Sequence, residues 1–160
     1  MSLKQISLPR RLMAAGALIG TLALVGAVQA GECPAGKMGT DVTKPGAMMP
    51  KDVTDTVLSS IDLSKEPAKI DERQLRLRRL VIQLGGIVPW HSHGDRPAII
   101  YVVKGEVTEY ASNCAVPIVH KAGEATAETH ATAHWWKNTG KTTVVLLSAD
   151  ILHDTSDKNM

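Results

Sequence analysis

From about residue 72 onward the sequence consists of short apolar segments separated by turn-forming residues, and this pattern restricts the folds open to the chain. The segments are AIIYVV (98–103), EVTEY (106–110), VPIVH (116–120) and TVVLLSADIL (143–152). The turns are Lys104-Gly105, Lys121-Ala122-Gly123 and Asn138-Thr139-Gly140. No helical period of any length follows residue 70. Short strands with regular turn signals predict an all-β fold, either a sandwich or a small barrel.

Two segments upstream of these are less regular. In LRLRRLVIQL (75–84) the apolar residues form two sets of opposite parity, Leu75 and Leu77 and then Leu80, Ile82 and Leu84. Since side chains alternate between the faces of a strand, this change predicts a bulge near Arg78-Arg79. VTDTVLSSIDL (53–63) is compatible with a short helix or an edge strand, and its pattern does not decide between them.

The first thirty residues have the three parts of a secretory signal peptide. Lys4, Arg10 and Arg11 precede an apolar run at 12–27, and small residues lead to a cleavage position at Ala30. The alternative is an N-terminal anchor, but the run is short for a membrane span. We therefore predict a periplasmic or secreted protein with no stable membrane span after cleavage. The remaining divisions are an extended arm at 31–70, a barrel at 71–152 and a C-terminal tail at 153–160.

Cleavage would change the charge of the chain and give its cysteines a role. Residues 1–30 carry three basic residues and no acidic one, which leaves 15 basic against 16 acidic residues. This balance offers no basic patch and argues against nucleic-acid binding. An oxidising compartment permits a disulfide between Cys33 and Cys114, the two cysteines of the chain, although two unpaired thiols remain an alternative.

His91 and His93 stand one residue apart at the start of an apolar strand. Residues i and i+2 of a strand point to the same face, so both imidazoles can reach one point. A metal ion is the best explanation of such a pair, and His134 is the natural third ligand.

The aromatic residues concentrate in the same part of the chain. All three Trp and both Tyr fall between residues 90 and 136, and Phe is absent. Trp90, Tyr101, Tyr110 and Trp136 are predicted to line a pocket around the histidines, although a small barrel also needs large side chains simply to fill its core.

At these residues the sequence resembles the cupin family, in its small single-domain group. Gly85, His91, His93 and Gly105 fit the spacing of the first cupin motif. The matches to the second motif are Gly123, His134 and Asn138. The resemblance covers about residues 72–152 and implies a double-stranded jelly roll. Because cupins often pair through N-terminal arms, it also makes a homodimer plausible.

The motifs also show where this chain departs from the family. The metal-binding glutamate of the first motif falls on Ala98, and the proline and glycine of the second fall on Thr129 and Ala131. Three histidines then remain for a divalent transition metal, which we take to be Fe, Zn, Ni, Cu or Mn. Some cupins, thiol dioxygenases among them, similarly hold iron with three histidines and no glutamate.

Other polar residues near the motifs are either possible additional metal ligands or expected surface residues. Asp95 and His130 are considered as extra ligands, because Asp95 continues the parity of His91 and His93 and His130 precedes His134 by four residues. The residues expected to be solvated or on the surface are Glu109, Arg96, His120 and His153.

The sequence leaves three functions open. The first is a metal-dependent enzyme, an oxygenase acting on a small organic molecule. The second is a non-catalytic periplasmic module that binds a metal or a small ligand. The third is a barrel without metal. The sequence shows no recognisable pair of a nucleophile and a general base, so the enzyme hypothesis rests mainly on the resemblance.

Overall fold

The computed structural model describes residues 31–153, which form an antiparallel β structure without helices. Its eight strands are β1 (Lys51–Asp62), β2 (Gln74–Ser92), β3 (Ala98–Lys104), β4 (Glu106–Ala111), β5 (Ile118–Lys121), β6 (Ala125–Glu128), β7 (Ala133–Lys137) and β8 (Val144–Leu152). The all-β prediction is confirmed. The predicted signal peptide and residues 154–160 of the predicted tail lie outside the described residues. Within them, no helix has the length and apolarity that crossing a membrane requires.

Strand β2 is shared between the two halves of the barrel. Hydrogen bonds connect the strands in the order β5-β4-β7-β2-β8-β3-β6, and β1 pairs with β2 outside this path. Residues 74–82 of β2 pair with β8, whereas residues 87–92 pair with β7. The strand turns at Gly85-Gly86, where Gly85 has a φ of 72° and a Cβ on Gly86 would lie 2.7 Å from the Asp52 carbonyl oxygen. Side chains from both halves therefore face a common interior.

The interior is filled by apolar side chains from most of the strands. The buried core consists of Leu80, Ile82, Val88, Ala98, Ile100, Val102, Val107, Trp136, Val144 and Leu146. The alternation of buried with partly exposed residues is clearest in β8, where every second residue is buried. This core fixes which face of each strand points inward.

The bulge predicted near Arg78-Arg79 is wrong. The β2–β8 register is continuous from Gln74 to Ile82, and Leu75 and Leu77 lie on the outer face, 39% and 37% exposed. The phase change of β2 lies later, between Val88 and His91, where the β2–β7 register shifts by one residue at Pro89-Trp90. Proline is tolerated at a bulge because no ladder hydrogen bond is lost there. Before the shift, the even-numbered residues of β2 point inward; after it, the odd-numbered residues do. His91 and His93 therefore face the interior.

Arginines occupy the inner face of β2 where the sequence pattern suggested apolar residues. Arg76 makes two hydrogen bonds to its cross-strand partner Asp150, of 3.0 and 2.7 Å. Arg78, 4% exposed, contacts Asp55 and lies 3.3 Å from the same Asp150 carboxylate. Buried charges are stable only when paired, so this network explains why the inner face of β2 begins with arginine.

The arm contributes a strand of its own. Segment 53–63, which the sequence left undecided, falls almost wholly in β1, and β1 pairs along residues 74–82 of β2. The register shifts at Leu58, between the pairs Val57↔Arg78 and Ser59↔Leu77. Nearer its start, the arm is joined to the β4–β5 connection by the Cys33–Cys114 disulfide and by a bridge between Met38 and Cys114.

Removing this disulfide should lower stability without changing the fold. The cysteines are 81 residues apart, so the bond restricts a long segment of the unfolded chain. We expect Cys33→Ser with Cys114→Ser to reduce the free energy of unfolding by about 2–4 kcal/mol in urea titrations. Non-reducing mass spectrometry of the parent protein is the control. Two freely alkylated thiols in that protein would contradict the prediction.

Candidate metal centre

Three histidines meet inside the barrel. His91 and His134 are direct cross-strand partners on β2 and β7, and His93 lies one residue beyond the end of β2. Their Nε2 atoms lie 3.1 Å apart for His91 and His93, 3.0 Å for His93 and His134 and 3.2 Å for His91 and His134. His93 and His134 are each 1% exposed. Each histidine thus presents the same nitrogen to a common point.

The partners of the other ring nitrogens determine the tautomers. Nδ1 of His91 lies 2.9 Å from the Pro89 carbonyl oxygen, and Nδ1 of His93 lies 2.8 Å from that of Arg96. A carbonyl oxygen only accepts, so both Nδ1 atoms carry the proton, and the Glu109 carboxylate accepts from His134 in the same way. In three neutral rings the Nε2 lone pairs point at one another, and a cation between them removes their repulsion. The arrangement fits a divalent transition metal.

Burial keeps two of these rings neutral. Loss of solvation, with the charge of His134, lowers the pKa of His91 to about 2 and that of His93 to about 4. For His134, burial alone would lower the pKa, but its hydrogen bond to Glu109 and the charge of Glu128 outweigh burial and raise it. A proton therefore competes with a metal ion mainly at His134.

Glu109 and His120 form a second layer behind His134, and here the sequence expectation of surface residues was wrong. Glu109 Oε1 lies 2.6 Å from His134 Nδ1 and its Oε2 lies 2.8 Å from His120 Nε2. Glu109 is 2% and His120 1% exposed, and the His120 ring stacks on Trp136. Burial would raise the pKa of Glu109, but the hydrogen bonds of both histidines hold it at about 2. Such a carboxylate orients a metal-binding imidazole and makes it more basic.

A small cavity of about 20 Å³ lies beside the triad. Its polar lining comprises the three histidines and, from the other half of the barrel, Arg78 and Ser148. Arg78 Nη2 lies 3.4 Å from Ser148 Oγ, and Arg78 Nε has no hydrogen-bond partner among the described residues. The cavity therefore places a cationic side chain opposite the imidazoles.

Of the four aromatic residues predicted to line the pocket, Trp136 lines this cavity. Tyr101 is 43% exposed on the outer face of β3, and Tyr110 stacks on Trp135 with ring centroids 4.2 Å apart. Trp90 belongs to the bulge, where its backbone N–H donates to the Ala47 carbonyl oxygen. Trp90, Tyr101 and Tyr110 are not among the residues that line this cavity. For the two tyrosines strand alternation explains the difference from the expectation, because both occupy outward positions.

The two residues considered as extra ligands lie outside the triad. The Asp95 side chain is 65% exposed and pairs with Arg73 and with His153, which is exposed as expected. His130 is exposed and borders, with His93, an outer cleft of about 490 Å³. Arg96, expected in solvent, is 3% exposed, and its Nε lies 3.9 Å from an Asp150 carboxylate oxygen. The chain turns after His93, so the parity argument for Asp95 fails at Gly94.

Glu128 is a buried carboxylate that the sequence did not single out. It ends β6, is 3% exposed, and places Oε2 3.5 Å from His134 Nδ1. Burial raises its pKa to about 7. With Glu109 it lines a groove of about 440 Å³ that opens beside β5 and β6, the two ends of the strand order. Its cross-strand partner is Ala98, and this pairing could not be read from local sequence.

Comparisons with known proteins agree with this architecture. The sequence model of the cupin domain matches residues 78–150. The cupin domain of Schizosaccharomyces pombe Cnp3 superposes with a TM-score of 0.50 at 15% identity, over 66% of this chain and 67% of that one. A recombinant oxalate oxidase in complex with glycolate superposes with a TM-score of 0.51 at 22% identity, over 72% of this chain and 59% of the oxidase. No curated protein sequence matches the chain. At these identities the structural likeness establishes the fold.

Proposed function

Residues 78–150 form a cupin domain, and from this premise we propose that the chain is a metal-dependent enzyme acting on a small organic molecule with dioxygen. The observation that carries the proposal is the convergence of three Nε2 atoms within 3.0–3.2 Å of one another. His91, His93 and His134 would hold the ion, while Glu109 fixes the orientation of His134. A divalent ion held in this way polarises a ligand oxygen or sulfur as a Lewis acid.

The charges around the cavity favour an anionic substrate. Three neutral imidazoles contribute no negative charge as ligands of a divalent ion. The Arg78 guanidinium, which also pairs with Asp55 and Asp150, lines the same cavity. Guanidinium groups bind carboxylates in a planar, two-point geometry. Small carboxylates are therefore candidate substrates, together with thiols, diketones and phenolics. The structurally similar oxalate oxidase described above is in complex with glycolate.

The size of the cavity supports a second candidate function. A volume of about 20 Å³ is enough for roughly one water molecule. A site that small also suits a module that binds a metal ion without turnover.

Oxygen uptake by the metal-loaded full chain tests the proposal. We expect one equivalent of metal per chain. We also expect oxygen consumption with at least one compound from a set of small carboxylates, thiols, diketones and phenolics. A chelator should abolish this oxygen consumption, and adding the metal back should restore it. Stoichiometric metal without oxygen consumption would favour the binding module. A protein that takes up no metal would overturn both functions.

We also propose that the protein acts in the periplasm or outside the cell. The Cys33–Cys114 disulfide supports this location, because disulfides persist in oxidising compartments. Cell fractionation with mass spectrometry of the mature N-terminus tests it, and a mature chain beginning after Ala30 is the expected result. A full-length protein in the cytoplasm would contradict it.

A further inference from the structure

Glu128 and Ala98 are direct partners in the β3–β6 ladder. Side chains that oppose each other in an antiparallel pair share a face, with Cβ atoms about 5 Å apart. Both residues are buried, Ala98 at 5% and Glu128 at 3% exposure. A glutamate at 128 is thus placed beside the position where the first cupin motif has its glutamate and this chain has alanine.

The other carboxylates near the interior are already engaged. Both oxygens of Glu109 accept from histidines, and both oxygens of Asp150 accept from Arg76 or Arg78. Asp95 is exposed and paired with Arg73. Among the described carboxylates, two have a buried oxygen without a hydrogen-bond partner, Asp55 at Oδ1 and Glu128 at Oε1. Asp55 is engaged by Arg78 through its other oxygen, whereas Glu128 lies beside the triad. Such an atom in a native interior calls for a partner that the protein chain does not supply.

We propose that Glu128 supplies the fourth ligand of the ion held by the three histidines. This inference rests on the proposed metal site and extends it by one residue. Its Oε2 lies 3.5 Å from His134 Nδ1, the nitrogen of that ring that faces away from His91 and His93. Ligation requires the side chain to turn from the Nδ1 side of that ring toward Ala98, whose methyl group occupies far less volume than a glutamate side chain. The carboxylate then compensates one charge of the ion.

Mn(II) is a suitable probe, because manganese favours carboxylate oxygens more than later divalent ions do. We expect Glu128→Gln to weaken Mn(II) binding by at least about tenfold in calorimetric titrations. Glu128→Asp keeps the charge but shortens the side chain. Because ligation needs the full length of a glutamate, this variant should also bind Mn(II) more weakly than the parent. Ala98→Glu combined with Glu128→Gln should restore most of the affinity, since it returns the carboxylate from the neighbouring strand. Asp95→Asn is the matched control and should bind as the parent does.

The outcomes separate this inference from the metal site itself. Parent-like Mn(II) affinity in Glu128→Gln, or in Glu128→Asp, would overturn Glu128 as a ligand while leaving the three-histidine site in place. A double variant as weak as Glu128→Gln would also overturn it. A parent protein that binds no Mn(II) and no other divalent transition metal would instead remove the proposed function. Circular dichroism of each variant verifies that it is folded before titration.

Discussion

Replacing His93 with alanine is expected to abolish stoichiometric binding of divalent transition metal ions. The Nε2 atom of His93 lies within 3.1 Å of both other imidazoles, so its removal leaves two protein nitrogens at the centre. Loss of a mere supporting group costs a metal site about 10–100-fold in affinity, and loss of a ligand should reach or exceed the upper end. Elemental analysis of the purified protein and calorimetry with Zn(II) measure the effect.

The matched control for this experiment is His130→Ala. It removes an exposed histidine at the outer cleft that His93 also borders. We expect metal content and affinity equal to those of the parent. If His93→Ala kept its metal while His130→Ala lost it, the ion would bind in the outer cleft and the triad assignment would be wrong.

Replacing Asp150 with asparagine should cause the second large effect, on stability. The Asp150 side chain is 0% exposed and pairs with Arg76 at 2.7 Å and with Arg78 at 3.3 Å. Asparagine keeps the shape but removes the charge that Arg76 and Arg78 share, and leaves Arg78 with Asp55 as its remaining carboxylate partner. Breaking a buried ion pair in this way costs about 3–5 kcal/mol. We expect a loss of that size in the free energy of unfolding measured in urea.

Asp62→Asn provides the comparison on the surface. Its partner Lys65 has a side chain 79% exposed, so solvent screens the pair. This variant should unfold at almost the parent's urea concentration. Equal destabilisation by the two substitutions would show that the buried network contributes no more than an exposed ion pair.

The sequence predicted the all-β fold and the residues that meet at the centre, because both depend on local signals. Glycine-containing turns delimit the strands, and His91 and His93 are two residues apart where β2 ends. Their inward orientation, however, depends on the bulge at Pro89-Trp90. The apolar pattern indicated a phase change in β2 but at the wrong place, since the outer leucines at 75 and 77 were taken for one side of the core. That the three histidines bind metal stays a prediction.

The residues that the sequence missed are polar residues on inward faces. Glu109 shares the inward parity of Val107 and Ala111, and His120 that of Ile118. Counting parity for polar as well as apolar residues would have placed both inside the barrel. The pairing of Ala98 with Glu128 is different, because it depends on the register of two strands far apart in sequence. Only the three-dimensional arrangement reveals it.

The position of β2 between β1 and β8 has a consequence for the order of folding. Residues 74–82 complete their ladder only with β8, which lies about seventy positions further along the chain. Closing such a long loop is slow, and structures rich in distant pairings fold slowly as a class. Until Asp150 arrives, Arg76 also lacks the carboxylate that its burial requires. We therefore expect the barrel of a growing chain to close only after β8 has been synthesised.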